Sequence, residues 1–144
     1  MLVRLSPDYS TVKETIDNAV GKTYTLQERK QFAKTSSANH EITGASLEIH
    51  NLLVLNEFKP TCSIEMRPKG VVLSFRSNFD TFALVIPHHK LRIYKGSAEE
   101  YSFHSDHQFI KIWVGRSDLN LQQFIKDIRD NKSDNAPTRI EDLL

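Results

Sequence analysis

The chain has 144 residues, 39% hydrophobic and 26% charged, with a formal net charge of +1, the composition of one globular domain that can hold a core without covalent staples. A single cysteine, Cys62, excludes an intramolecular disulfide and a cysteine-based zinc finger, and favours a reducing compartment. The N-terminus lacks the apolar run of a signal peptide and no stretch approaches the ~20 apolar residues of a membrane span, so a cytoplasmic location is expected.

Residues 1–40 read as a helical extension. Thr11 and Glu14 have capping-box spacing, a hydroxyl and a carboxylate that can answer each other's free amides. Val12, Ile16, Ala19 and Val20 follow at helical spacing, and Gly21 is the stop. Thr25 and Glu28 repeat the box and open a second helix toward Lys34, which the polar run at 35–39 ends.

From about residue 42 the period changes to two. The alternation predicts strands over 45–50, 52–58, 62–67, 71–76, 81–86 and 88–94, then a last hairpin from Tyr101 to Val114. Pro68 and Gly70 mark one turn, Pro for its fixed φ and Gly for a positive one; residues 77–80 make a second. Pro87 breaks the ladder, and Lys95, Gly96 and Ser97 turn the chain again. A two-residue turn at Ser105 and Asp106 would leave His104 facing His107. Trp113 is expected in the core.

After Gly115, Ser117 and Asp118 can cap a helix whose Leu121, Phe124, Ile125 and Ile128 form one apolar stripe. Residues 132–144 read as a flexible tail. The expected fold is therefore α+β, mainly β. An antiparallel seven-stranded meander over 41–131 curls into a barrel or sandwich, which removes its edges, and the amphipathic helix closes it.

GVVLSFRS at 70–77, FALVIP at 82–87, and QFIKIW at 108–113 leading into the final helix resemble the pleckstrin-homology-like superfold, including its GRAM and bacterial relatives. The resemblance covers residues 42–131. It implies a closed meander that binds a ligand or a protein segment; separately, no cofactor is expected. Its phosphotyrosine-binding relatives capture extended peptides by strand addition. The chain departs from the group in two places. Its only tryptophan, Trp113, is in the last strand instead of the closing helix, and residues 45–58 carry no Lys or Arg where the phosphoinositide motif places them.

Charge is uneven along the chain. Residues 59–95 carry seven lysines and arginines against Glu65 and Asp80, a net of +5, whereas both flanks are net acidic. Within that middle, alternation puts His88, Lys90, Arg92 and Tyr94 on one face, opposite His89, Leu91 and Ile93. Lys point charges, an Arg fork and an aromatic surface suit phosphate or carboxylate, and Lys69 and Arg76 extend the set, depending on register. A metal site from His88, His104 and His107 is the competing use of these residues, although the pleat sends His88 and His89 to opposite faces. No metal is expected.

No nucleophile with an adjacent base, no Gly-rich phosphate loop and no His-Glu-x-x-His motif is present, and Cys62 sits in an apolar alternation. An enzyme is not expected. The leading expectation is a non-catalytic binding or adaptor module for a protein segment or an anionic ligand. The alternative is a small barrel with an apolar cavity that carries or acts on a small molecule. Nucleic acid is not the expected partner, because one strip of cations with one aromatic is thin for that role. Self-pairing into a homo-oligomer through a sheet edge stays open.

Overall fold

The computed structural model describes residues 1–6, 9–96 and 99–134. In chain order its elements are β1 (Leu2–Arg4), α1 (Ser10–Val20), α2 (Leu26–Arg29), β2 (Ser36–Ala45), α3 (Leu47–Leu53), β3 (Thr61–Arg67), β4 (Gly70–Ser77), β5 (Asp80–Pro87), β6 (Leu91–Lys95), β7 (Glu100–Ser105), β8 (Gln108–Trp113) and α4 (Leu119–Asp134). The fold is α+β and mainly β. Eight antiparallel strands lie in the order β1-β5-β4-β3-β2-β8-β7-β6, in a sheet that does not close, and β1 and β6 are its edges.

β2 joins the two halves of the sheet. Its first part pairs with β3, from Ser36 opposite Glu65 to Glu41 opposite Thr61, and its last part pairs with β8, from Ile42 opposite Ile112 to Ala45 opposite Ile110. The register slips between Ser37 and His40 and again between Ile42 and Gly44, and Asn39 takes a φ of 63° in the first slip. Such bulges increase local twist, here where one strand passes from pairing with β3 to pairing with β8.

The β3–β4 and β4–β5 hairpins turn where the sequence says they should, on Pro68-Lys69 and Asn78-Phe79. Asn78 supplies the positive φ of the second turn, 58°. Gly70 does not supply one in the first, contrary to expectation; glycine is required there because a Cβ would collide with the Ile86 carbonyl oxygen and the Val20 side chain.

β4 and β5 are apolar on both faces because both faces are covered. Val71, Leu73, Phe75, Leu84 and Ile86 point into the main core, while Val72, Ala83 and Val85 meet Ile16 and Val20 of α1 on the other side. The N-terminal helix is thus packed on the sheet. Gly21 ends it with a φ of 86°, and its amide donates to the Asp17 carbonyl. No Thr11 cap forms: the N-cap is Tyr9, two residues earlier, with no side-chain cap. The second capping box does form, the Glu28 amide donating to Thr25 Oγ1 at 3.2 Å and the Thr25 amide to Glu28 Oε1 at 3.0 Å, but α2 is only four residues long.

Two expected strands are absent. Where alternation predicts strands over 45–50 and 52–58, the chain forms α3, with Ile49 and Leu53 buried one helical turn apart. The polar run at 35–39 expected to end a helix instead enters β2, and β1 adds a short edge strand that was not foreseen. The closing helix is as expected. Leu121, Phe124, Ile125 and Ile128 are all buried, each worth about 1.5–3 kcal/mol of burial, and Asp118 Oδ1 accepts from the Leu121 amide at 3.0 Å. α4 runs to Asp134, past the expected start of the tail at 132; residues 135–144 lie outside the described residues, as does Ser97 of the expected 95–97 turn. Among the described residues no helix is long and apolar enough to cross a membrane.

The interior is filled by Ile64, Met66, Leu73, Leu84, Phe103 and Phe124. Cys62 is among the buried residues, and burial pushes its thiol up to about 12, so it stays protonated at neutral pH and is no nucleophile.

Candidate functional site

The basic strip resolves into β6 and the turn before it. Leu91 points into the core, whereas Arg92 and Tyr94 face outward. Arg92 lies opposite His104 of β7, and His104 opposite Phe109 of β8. The three strands thereby build a continuous outward row. The Tyr94 and His104 rings meet edge to face with centroids 5.1 Å apart, and His104 stacks on Phe109 at 5.1 Å and 23°. Lys111 Nζ lies 5.8 Å from the Phe109 ring centroid. Cations and aromatic rings alternate here on a sheet face, where an anionic or π-rich partner can meet both.

The row ends in a free strand edge. β6 pairs with β7 on one side only. Beside that edge, Arg129 Nη2 of α4 donates to the Ile93 carbonyl oxygen at 3.5 Å, a long, exposed hydrogen bond that an incoming backbone amide can replace. Lys90, at the entry to β6, pairs with Asp106 at 3.2 Å, with both side chains largely exposed. A solvent-facing pair of this kind is weak and can exchange partners.

Three of the expected residues are placed elsewhere. His88 does not join Arg92 and Tyr94, because residues 88–90 form a turn, not the start of a strand. Its side chain is buried, and neither ring nitrogen has a hydrogen-bond partner among the described residues. Lys69 sits in the β3–β4 turn, where its carbonyl accepts from the His88 amide at 2.9 Å, so it neighbours His88 without lying on the outward row. Arg76 lies at the far end of β4, beside the β4–β5 turn. The expected meeting of His104 and His107 does not occur either. The turn is Asp106-His107, with Asp106 at a φ of 53°, and this one-residue difference puts Phe109 opposite His104. Among the described residues no group of three or more His, Cys, Asp and Glu is placed to hold a metal ion.

Two members of the row were missed by the sequence reading, Phe109 and Lys111. Alternation within QFIKIW carries the signal, since Ile110 and Ile112 are buried and their neighbours must face out. Trp113, expected in the core, follows the same alternation. It is 48% exposed and lies over Gly115.

Burial, and then the charge of Lys132, holds the His88 imidazole below its ordinary pKa; burial also lowers His104 and His40, helped by Lys111 and Lys34 respectively. A histidine depressed in the folded state binds its proton more readily when unfolded. The stability it contributes is therefore present above the unfolded value of about 6.5 and is lost as pH falls through the folded value. Urea midpoints should drop between neutral pH and pH 5, and His88→Phe should flatten that drop. Equal pH dependence in both proteins would remove His88 from the acid limb.

Comparison of the chain with protein-family models, curated proteins and solved structures gave no match. The site's chemistry therefore stands on its geometry: a cationic, aromatic sheet face that ends in an unpaired strand edge beside a helix.

Proposed function

We propose that this chain is a non-catalytic binding module of pleckstrin-homology-like architecture, which takes an extended, acidic protein segment along β6. The observation that carries the reading is the free edge of β6, with Arg92 and Tyr94 exposed along it and α4 alongside. The unpaired amides and carbonyls of an edge strand bind the backbone of any extended chain, and the flanking side chains select among sequences. Here the cations Lys90, Arg92 and Lys111 favour carboxylates, while Tyr94 and Phe109 offer apolar contact. Two antiparallel runs, β3-β4-β5 and β6-β7-β8, joined through β2 and followed by a covering helix, support the architectural part of the proposal. The buried, protonated thiol of Cys62 suits a reducing compartment, and we place the module in the cytoplasm.

Calorimetric titration with an extended Glu-Val-Glu-Thr repeat peptide tests this, using the wild type and Lys90→Glu/Arg92→Glu. Binding is expected at micromolar affinity, to weaken at least tenfold in the variant, and to protect the β6 amides from hydrogen exchange. Absence of binding, or identical binding by both proteins, overturns the proposal. Binding of inositol hexakisphosphate but not of the peptide would also overturn it, since the strip would then serve a small anion.

A further inference from the structure

The most exposed phenylalanines of the described residues lie far from β6. Phe58, in the loop between α3 and β3, is 83% exposed, and Phe79, in the β4–β5 turn, is 87% exposed. Leu55 and Val54 next to them are 59% and 61% exposed. Single exposed apolar residues are ordinary, but a contiguous group of this size marks a contact surface.

The patch has depressions as well as projections. Phe58 stands between two adjoining clefts of about 380 and 350 Å3; Phe79, Glu57 and Arg76 line the first, and Val54 lines the second. A cavity of about 150 Å3 already admits a benzene ring. The projections are also held in place. Asn56 fastens the two loops together, donating from Nδ2 to the Arg76 carbonyl at 2.6 Å and accepting the Asn78 amide on Oδ1 at 2.6 Å. Ser77 Oγ donates to the Leu52 carbonyl at 2.7 Å beside them. Side chains on loops fixed in this way lose little entropy on docking.

Charge selects the occupant. Lys59, Arg4 and Arg76 are balanced by Glu41, Asp80 and Glu57, so the rim has no net positive charge to draw an anionic bilayer. Glu57 and Arg76 remain, opposite in sign, both on the first cleft, and neither has an ion-pair partner among the described residues. A surface that carries knobs, holes and one unpaired charge of each sign is complementary to itself, which is what an isologous two-fold contact requires.

We propose that this patch is a homodimer interface, in which the phenylalanines of each copy enter the clefts of the other and Glu57 of one copy meets Arg76 of its partner. The four phenylalanines of a pair would contribute about 600 Å2 of buried surface, roughly half of what a small specific interface needs. The surrounding loop and cleft walls can supply the remainder.

Sedimentation velocity across the micromolar range tests it. The wild type is expected to dimerise, and Phe58→Ser/Phe79→Ser to be monomeric with unchanged circular dichroism and melting temperature, because both side chains are exposed in the monomer. Glu57→Arg and Arg76→Glu should each weaken dimerisation at least tenfold, and the two together should restore it. A wild type that stays monomeric overturns the proposal, as does a dimer indifferent to the phenylalanine pair, which would point to a sheet edge. Failure of the double swap to recover what the single swaps lose also overturns it. So does phenylalanine-dependent co-sedimentation with phosphatidylglycerol vesicles, which would assign the patch to a bilayer.

Discussion

Replacing Arg67 with alanine is expected to lower the unfolding free energy by about 3 kcal/mol, because it removes the buried donor that Asp17, Glu65 and the Gly21 carbonyl share. Arg67 is 3% exposed and holds the N-terminal helix to the sheet. Its Nη1 donates to Asp17 Oδ1 at 3.1 Å and to the Gly21 carbonyl at 2.7 Å, and its Nε donates to Glu65 Oε1 at 2.6 Å. Loss of a partner from a buried ion pair costs about 3–5 kcal/mol; the low end applies here because Asp17 keeps Lys13 and Glu65 is 31% exposed. In urea the midpoint should fall by about 1.5 M, taking an m value of about 2 kcal/mol/M. Hydrogen exchange in α1 should accelerate before that of β4, because the lost contacts are those of the helix. Combining Arg67→Met with Asp17→Asn and Glu65→Gln removes the orphaned charges and should recover part of the loss. A change under about 1 kcal/mol in Arg67→Ala would show that the network is solvated and carries little.

Gly70→Ala is expected to destabilise by about 2 kcal/mol, the middle of the range for forcing a methyl group into a filled site. Two opposing effects set the sign. Alanine restricts the unfolded chain and would stabilise by about 0.4–1 kcal/mol if the native site had room. It does not, because the added Cβ would fall on the Ile86 carbonyl oxygen and on Val20, and within 3.0 Å of the Pro87 Cα. Two of these obstacles belong to β5's backbone, which cannot rotate away as the tip of a flexible side chain would. The melting temperature should fall by about 6 °C for a domain of this size. Val20→Ala in the Gly70→Ala background should return only a fraction, since it relieves one of the three contacts. Gly96→Ala is the control, for its nearest contact is 3.6 Å from Glu100, and its effect should stay within about 0.5 kcal/mol. A neutral or stabilising Gly70→Ala would mean that β4 and β5 can separate at this end of the sheet.

Both positions show how far sequence reading reaches. The 67–70 turn is legible because turn chemistry is local: proline sets one torsion and the strands on either side alternate. The reason glycine stands at 70 is not legible, since Val20 and Ile86, which crowd it, are distant in sequence and arrive only when α1 packs and β5 pairs. The candidate site divides in the same way. The outward pair Arg92 and Tyr94 follows from the pleat of one strand. His88 falls away because the chain turns at 88–90, and it is buried near Lys132, more than forty residues further on.

The segments that sequence reading placed wrongly share a cause. In residues 47–53 Ile49 is the one β-branched residue among Leu, Glu, His and Asn, and the i, i+4 pair Ile49 and Leu53 is the signal for α3; alternation in a short apolar run does not separate strand from buried helix. β2 has almost no apolar pattern, with Ile42 its one fully buried residue, and it is a strand because β3 and β8 satisfy its backbone. In the last hairpin the turn falls one residue later than expected, which moves the cross-strand partner by two residues along the same face, so His104 meets Phe109 instead of His107.

What this sequence determines by itself is local or periodic: the α4 stripe with its Asp118 cap, the Thr25–Glu28 box, the two hairpins around β4, and the mainly-β class. Tertiary structure alone decides the open eight-stranded order, the helix in place of two strands, the burial of His88 and the clustering of Phe58 with Phe79. Each of these depends on which distant segment supplies the hydrogen bonds or the apolar cover, and a single chain read in order carries no distance between segments that meet only on folding.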